Sequence, residues 1–180
     1  MNTRYEVGLE RDERTGALFA DSLPITREEM LGNVWRFADM PRTSRAFIDT
    51  AIPGHERVLM GALGSGAEDE ALRPQVERAQ NYHVDYVLAQ PGNGAALHSH
   101  DSEESFICLS GRWKIGWGTH GEESVELAYL DGIVVPPGVM RSFENVSGGE
   151  AMLLTILGGH SPGPVAWSSA IRADLGRTAR

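Results

Sequence analysis

The chain has 180 residues and a formal net charge of −9, and 41% of its residues are hydrophobic. This length and composition fit one globular domain with a sizeable core, and the acidity without a basic cluster argues against nucleic acid or membrane as a partner. No apolar run is long enough to cross a membrane, and the N-terminus lacks the apolar core of a signal peptide. Cys108 is the only cysteine. Because no intramolecular disulfide can form, we expect a cytoplasmic protein.

The first eighty residues predict a polar arm, a helix and two leading strands. Thr26 and Glu29 have the spacing of a capping box, and apolar residues then recur at helical intervals up to residue 38. The apolar face of this helix is expected to pack against the rest of the chain or a second subunit. Two apolar runs, 46–52 and 58–63, predict strands joined by a Pro-Gly turn. A short helical turn is expected within 70–80.

From residue 82 the pattern becomes that of β structure. Side chains alternate over 82–89, and glycine-rich breaks separate the strands that follow. The further predicted strands are 104–109, 112–118, 124–129, 133–135, 141–145 and 151–157. Many short strands with regular turns predict an all-β sandwich or barrel. The tail 164–180 has apolar residues at helical spacing, which predicts a short C-terminal helix.

Two histidines and a glutamate lie close together in the most informative stretch of the chain. Alternate residues of a strand share a face, so His98 and His100 are expected to point the same way, and Glu104 keeps their parity. Two neutral imidazoles and one carboxylate leave open positions on a metal and suit Fe(II), and less selectively Mn, Zn, Ni or Co. We therefore predict one bound divalent metal, Fe(II) being favoured, with room for a small-molecule substrate.

The spacing of these residues resembles the first motif of the cupin superfamily. Five residues separate Gly92 from His98, one separates the two histidines, three separate His100 from Glu104, and six separate Glu104 from Gly111. A match to this spacing by chance is rare, so the resemblance is specific.

Residues 136–145 resemble the second cupin motif, Pro-x-Gly-x-x-His-x-x-x-Asn. The matching residues are Pro136, Gly138 and Asn145. Leu130 stands where the family has a glycine ahead of this motif, and Arg141 stands where it has its last metal-binding histidine. A guanidinium stays protonated and has no lone pair to donate, so Arg141 cannot replace that ligand.

Two interpretations of Arg141 remain open. In the first, the metal keeps three protein ligands and Arg141 acts as a catalytic residue that binds an anionic group of the substrate. In the second, the site has lost its metal and Arg141 pairs with Glu104 or Glu144 as a structural element. The first is favoured because His98, His100 and Glu104 are all present, and three ligands with open positions make a working catalytic arrangement.

The resemblance implies an all-β, single-domain cupin jelly-roll barrel with an N-terminal helical segment and a short C-terminal helix. Within this one domain the cupin core is expected over 81–160, preceded by an arm, helix and leading strands in 1–80 and followed by a tail in 161–180. Small barrels of this kind hold one small ligand at their mouth.

Four residues are candidates for the substrate pocket. Phe106 and Phe143 flank the predicted ligand residues in sequence. Cys108 shares the parity of Glu104, and His83 lies one strand earlier. For the last two the alternatives are ordinary ones: a small buried hydrophobe for Cys108, and a histidine on a half-exposed strand for His83.

The resemblance allows several functions. We expect a metal-dependent enzyme, of the non-haem (di)oxygenase type, that acts on a small anionic organic substrate. The alternatives are a non-redox isomerase, lyase or decarboxylase, and a small-molecule-binding protein without turnover. The apolar helix face, the stripe Trp113, Ile115 and Trp117, and the family's habit of pairing barrels also predict a homodimer.

Overall fold

The computed structural model describes residues 9–20, 24–64, 67–78, 81–159 and 165–178. The chain divides into two compact units, Met1–Val34 and Trp35–Arg180. No helix in the described part of the chain is long and apolar enough to span a membrane.

Thirteen strands and two α-helices are described. The strands are β1 Leu9–Arg11, β2 Leu18–Ala20, β3 Arg42–Thr43, β4 Val58–Leu63, β5 Tyr82–Ala89, β6 Gly94–Ser99, β7 Glu104–Cys108, β8 Trp113–Trp117, β9 Glu123–Leu127, β10 Gly132–Val135, β11 Arg141–Asn145, β12 Ala151–Gly158 and β13 Ala166–Trp167. The α-helices are α1 Arg27–Leu31 and α2 Ser169–Thr178, and short 3₁₀ helices span Phe37–Asp39 and Ile48–Ala51.

The second unit is built from two antiparallel sheets. One has six strands in the order β10-β7-β12-β5-β4-β3, and the other has five in the order β13-β6-β11-β8-β9. This is the all-β architecture that the strand pattern predicts. The leading strand β4 belongs to the same sheet as the later strands, because it pairs with β5 along most of its length.

The main core lies between the inward faces of the two sheets. Its fully buried members include Phe106, Cys108, Trp113, Ile115 and Leu153. A smaller cluster with Met60 and Val84 covers the opposite face of β4 and β5, because neighbouring residues of a strand point to opposite sides.

The N-terminal unit contains a hairpin and a helix that is shorter than predicted. Strands β1 and β2 pair directly, and α1 begins at the predicted capping box, in which the side chains of Thr26 and Glu29 accept from each other's backbone amides. The helix ends after five residues at Gly32, and none of its residues is buried. The predicted continuation to residue 38 is wrong, because glycine weakens the helix there.

One other local prediction is wrong, and the prediction for 70–80 holds only for its first residues. Residues 46–52 were expected to form a strand, but 48–51 form a 3₁₀ helix in which Asp49 is buried. Residues 70–71 form a single turn, closed by the hydrogen bond from the amide of Leu72 to the carbonyl of Asp69, and Val76 then makes an isolated bridge to Leu63. Long-range hydrogen bonds hold both segments: the amide of Glu68 donates to the carbonyl of Ala46, and the amide of Val76 donates to the carbonyl of Ala62.

The aromatic stripe of β8 points into the core rather than outward. Trp113 and Ile115 are fully buried within their own chain, and Trp113 packs edge-on against Phe143. Trp113 and Ile115 are therefore unavailable to a second subunit, whereas Trp117 is half-buried. The predicted C-terminal helix is present as α2. Strand β13, just before it, was not predicted, and it pairs with β6 beside His98.

Candidate metal centre

The three predicted metal ligands meet at one end of the barrel. His98 lies on β6 in the five-stranded sheet, His100 directly follows β6, and Glu104 begins β7 in the six-stranded sheet. All three are buried, and one ligand atom from each lies within 4.8 Å of the others. The short connection from β6 to β7 thus brings residues of two sheets to one point.

The protonation of His98 suits a metal ligand. Its Nδ1 lies 2.7 Å from the carbonyl oxygen of Ala96, which can only accept, so Nδ1 carries the proton and Nε2 keeps a free lone pair. Burial, followed by the charge of His100, holds the pKa of His98 well below its ordinary value. His98 is therefore neutral near pH 7, as coordination requires.

Glu104 supplies the carboxylate of the cluster. Its Oε2 lies 3.7 Å from His100 Nε2 and 3.6 Å from Arg141 Nε, and it accepts no hydrogen bond from the described residues. Burial raises the pKa of Glu104 to about 7, although the charges of Arg141 and Arg57 act in the opposite direction. A buried carboxylate oxygen without a hydrogen bond, facing two imidazoles, fits a divalent cation.

Arg141 lies inside the barrel beside the ligands. Its side chain is fully buried, its Nε faces Glu104, and its NH2 donates to the carbonyl of Pro136 at 3.2 Å. The structure thus combines parts of both interpretations: Arg141 pairs with Glu104, while the three ligands remain clustered. Arg141 is not among the residues that line the cavity described next, and its contact with a substrate stays a prediction.

A small cavity of about 30 Å³, with room for about two water molecules, opens beside the three candidate ligands. Its polar walls come from the ligands, His83, Asp85, Thr155 and Arg57, and its apolar walls include Phe47, Leu59, Phe143 and Trp167. Trp167 lies over His98, with ring centroids 5.3 Å apart. The cavity touches the cluster of His98, His100 and Glu104 directly, and a substrate larger than a few atoms would require the surrounding side chains to move.

Two of the four predicted pocket residues line this cavity and two do not. His83 and Phe143 are lining residues. Phe106 and Cys108 belong to the hydrophobic core, one and two inward positions further along β7 than Glu104. Phe106 packs against the lining residue Phe143, on the side of its ring that faces the core.

Sequence reasoning missed Asp85 and Arg57. Asp85 is 4% exposed, lines the cavity, and its Oδ1 accepts no hydrogen bond from the described residues. Burial, and then the charge of Glu104, raises the pKa of Asp85 to about 8. A signal for Asp85 was present, because it shares the parity of the pocket candidate His83.

Arg57 could not have been found from a local pattern. It is 5% exposed and lines the cavity from a position just ahead of β4, where it pairs with Asp49. Neither Arg57 nor Asp49 has a regular spacing to the motif residues, and only the folded chain brings them together.

Two turns beyond the end of β7 that is remote from Glu104 have a left-handed backbone conformation. Gly111 has φ of +71°, and a Cβ there would collide with the side chain of Ser147. Leu130, at the position where the family has glycine, is the only described non-glycine residue with positive φ, at +68°. That backbone conformation is what a glycine would provide at lower energy.

The barrel, the ligand cluster and the two motifs define a cupin. Residues 85–157 match the protein family described as "Cupin domain". This part of the chain is a cupin domain. No curated protein sequence matches it.

Several solved structures have a similar fold. The polyketide cyclase RemF from Streptomyces resistomycificus aligns over 74% of this chain and 82% of its own, with a TM-score of 0.55 and 16% identity. An RmlC-like cupin from Shewanella frigidimarina aligns over 69% of this chain and 88% of its own, with a TM-score of 0.50 and 10% identity. The protein TT1209 from Thermus thermophilus is 25% identical over 48% of this chain and 80% of its own, with a TM-score of 0.43.

Proposed function

We propose that this cupin is a metal-dependent enzyme that acts on a small anionic organic molecule within the barrel, and that the reaction is an oxygenation. The observation that carries the proposal is the cluster of His98, His100 and Glu104, whose ligand atoms lie within 4.8 Å of one another next to a cavity. Two imidazoles and one carboxylate are the ligand set of non-haem Fe(II) oxygenases, which favours Fe(II) over Mn, Zn, Ni or Co. When bound, such a metal supplies Lewis acidity and electron transfer to the site.

The charges around the cavity favour an anionic substrate. Arg57 is neutralised by Asp49, and Arg141 lies beside Glu104. Asp85 is held protonated near pH 7 because burial raises its pKa to about 8. The protein charges therefore nearly cancel, so a divalent ion adds a positive charge that an anionic ligand would balance in this buried setting.

The apolar walls orient the substrate and keep water away from it. Phe47 and Trp167 pack edge-on against each other at 6.3 Å, and Phe143 closes the floor. Three aromatic side chains around the cavity favour a substrate with a flat, conjugated group.

We keep the proposal that Arg141 acts on the substrate from beside the ligands, and we add that it stabilises the charged form of Glu104. Its Nε and NH1 make no hydrogen bond to the described residues. Arg141→Ala should weaken the binding of anionic ligands, with little loss of metal. Arg141→His would offer the family's fourth ligand and should tighten the metal. Abolished metal binding in a folded Arg141→Ala variant would contradict this role.

A second candidate function is favoured by Asp85. Its buried oxygen faces the cavity without a hydrogen bond, which is the arrangement of a group that donates a proton to, or accepts one from, a bound substrate. With a metal as Lewis acid, this would serve an isomerase, lyase or decarboxylase reaction. A protein of similar fold is described as a polyketide cyclase, so cyclisation belongs among the reactions to assay.

The two functions are separated by one set of measurements. Protein purified without added metal is analysed for its metal content, and oxygen consumption is then followed with a panel of small acids and diketones. Substrate-dependent oxygen uptake supports the oxygenase, and turnover that persists without oxygen supports the second function. Ligand binding with no product under either condition would reduce the protein to a binding module.

We also propose that the protein is a homodimer whose ligand is a small molecule and not nucleic acid or membrane. Support for pairing now comes from partly exposed apolar side chains on the outer face of the six-stranded sheet, among them Tyr86, Leu88 and Leu154. Light scattering at micromolar concentration should give twice the chain mass of 19.6 kDa. A mass equal to one chain would refute the dimer.

A further inference from the structure

We propose that the buried ion pair of Asp49 and Arg57 positions the metal ligand His98. Residues ahead of the family match, which begins at residue 85, would then tune the metal centre. The inference rests on the proposed function in one respect, that His98 ligates a metal.

The ion pair has two parallel hydrogen bonds. Arg57 NH1 donates to Asp49 Oδ2 at 3.0 Å, and Arg57 NH2 donates to Asp49 Oδ1 at 3.0 Å. The two side chains are 2% and 0% exposed. Burying such a pair costs about as much desolvation energy as its attraction returns, so stability alone is a weak reason for its presence.

Both members of the pair bond to β6, the strand that carries His98. Arg57 NH1 also donates to the carbonyl of Gly94 at 2.8 Å, and the amide of Ala96 donates to Asp49 Oδ2 at 2.9 Å. Between His98 and Ala95 the pairing of β6 with β11 shifts register. Ala96 lies in this irregular stretch, where Asp49 supplies an acceptor for its amide.

The same residue connects the pair to the ligand. The carbonyl of Ala96 accepts a hydrogen bond from His98 Nδ1 at 2.7 Å. A continuous path therefore runs from Arg57 through Asp49 and Ala96 to the imidazole ring. The outer hydrogen-bond partner of a ligating histidine fixes its tautomer and ring orientation, and disturbing such partners typically costs about 10–100-fold in metal affinity.

The position of Arg57 is fixed from other sides as well. Its guanidinium lies over the ring of Phe47 at 5.2 Å and near that of Phe143 at 5.7 Å. Both rings also line the cavity. A displacement of Arg57 would therefore reach both the ligand strand and the substrate walls.

The test uses two variants of the full chain and a matched control. Asp49→Asn keeps the size and one acceptor oxygen but removes the charge. The double variant Asp49→Leu with Arg57→Met replaces the pair by apolar side chains, a change that buried ion pairs commonly tolerate. Glu126→Gln breaks the exposed pair with Arg112, whose side chains are 63% and 50% exposed, and serves as the control.

Co(II) is the probe. Its dissociation constant is measured by competition with a chelator, its visible spectrum reports the coordination geometry, and thermal melting of the metal-free protein reports stability. We expect about 10–100-fold weaker Co(II) binding and an altered spectrum in both variants, with no change in the control.

A purely structural pair would lower the melting temperature and leave the Co(II) spectrum and affinity unchanged, and that result in the folded double variant would overturn the proposal. Failure of both variants to fold would also assign the pair to structure and overturn it. If the wild type itself binds no Co(II), the metal site of the proposed function fails, which is a distinct result from a change confined to the variants.

Discussion

The two ends of the barrel interior differ sharply, although the same strands build both. The inward residues of β7 run from Glu104 at the metal cluster to Phe106 and Cys108 in the core. On β5 the inward residues change from His83 and Asp85 to apolar ones in the same direction. Alternation along a strand marks which residues face inward, but the chemistry of those residues decides whether that end of the barrel is core or site.

The buried polar groups at the two ends of the barrel interior also differ in their hydrogen bonding. In the core, Asn145 donates to the carbonyls of Ala89 and Gly149 and accepts from Ser147, so its side chain is fully satisfied. At the cavity end, Asp85 Oδ1 and Glu104 Oε2 accept no hydrogen bond from the described residues. A buried polar atom without a partner costs about 1–3 kcal/mol, which makes these groups candidates for contact with a ligand.

The comparison is tested most strongly by truncating one inward residue at each end. His98→Ala should weaken metal binding by more than about 100-fold and leave the metal-free fold intact, because it removes a ligand from the cavity. Phe106→Ala should instead lower the free energy of unfolding by about 3–5 kcal/mol, because it opens a void in a packed core. Elemental analysis and thermal melting of both variants provide the measurements. Equal metal content in wild type and His98→Ala would end the assignment of the site.

The burial of Asp85 at the cavity end should make the free energy of unfolding of the metal-free protein fall as the pH rises. Because burial raises its pKa to about 8 from an ordinary value near 4, the folded protein favours the protonated form. The stability that protonated Asp85 contributes is fully present below about pH 4 and is lost as the pH rises through about 8. The metal-free wild type should therefore lose at least about 2 kcal/mol of unfolding free energy between pH 5 and pH 9, and Asp85→Asn should lose less.

Denaturant unfolding with a chelator present measures this difference. Glu104 titrates in the same direction in both proteins, so the comparison of the two isolates Asp85. Parallel pH profiles would mean that Asp85 is not buried as a neutral acid.

Metal affinity should depend on pH through Glu104. Burial raises the pKa of Glu104 to about 7, so below pH 7 a metal must displace a proton from it. The affinity should rise up to about tenfold per pH unit below 7 and level off above it. Calorimetry in two buffers of different ionisation enthalpy should detect about one released proton at pH 6. A flat profile between pH 5.5 and pH 8 would exclude Glu104 as a ligand that titrates in this range.

The smallest expected effect lies outside both ends, at the turn before β10. Leu130 is 62% exposed and holds φ of +68°, so its side chain packs little and its backbone is strained. Leu130→Gly should raise the free energy of unfolding by about 1 kcal/mol, or the melting temperature by about 2–4 °C. Tyr129→Gly, one residue earlier without positive φ, is the control and should lower it. A lower melting temperature for Leu130→Gly would contradict the strain.

Local patterns predicted the later part of the chain better than the earlier part. The strands around the motifs begin and end within a residue or two of their predicted bounds, because alternation and glycine turns act together there. Residues 46–52 and the helix after Thr26 were predicted less well. Their apolar spacing was real, but the buried Asp49 and the glycine that ends α1 outweighed it.

The residues of the candidate site also differ in how well the sequence predicted them. His98, His100 and Glu104 are close in sequence, so their parity and spacing sufficed to predict that they cluster. The position of Arg141 beside them followed from the second motif. Asp85 was not predicted, although it shares the parity of His83, because an aspartate on a strand is ordinarily exposed.

By itself, the amino-acid sequence determined the β architecture, the candidate ligand set and the absence of a histidine where Arg141 stands, because each depends on short-range spacing. Only the tertiary structure decided that Arg57, Asp49 and Trp167 surround this site. Those residues lie far from the motifs along the chain and reach the cavity through strand pairing and buried hydrogen bonds. The free energy of such contacts depends on which distant groups are buried together, and no local pattern of residues contains that information.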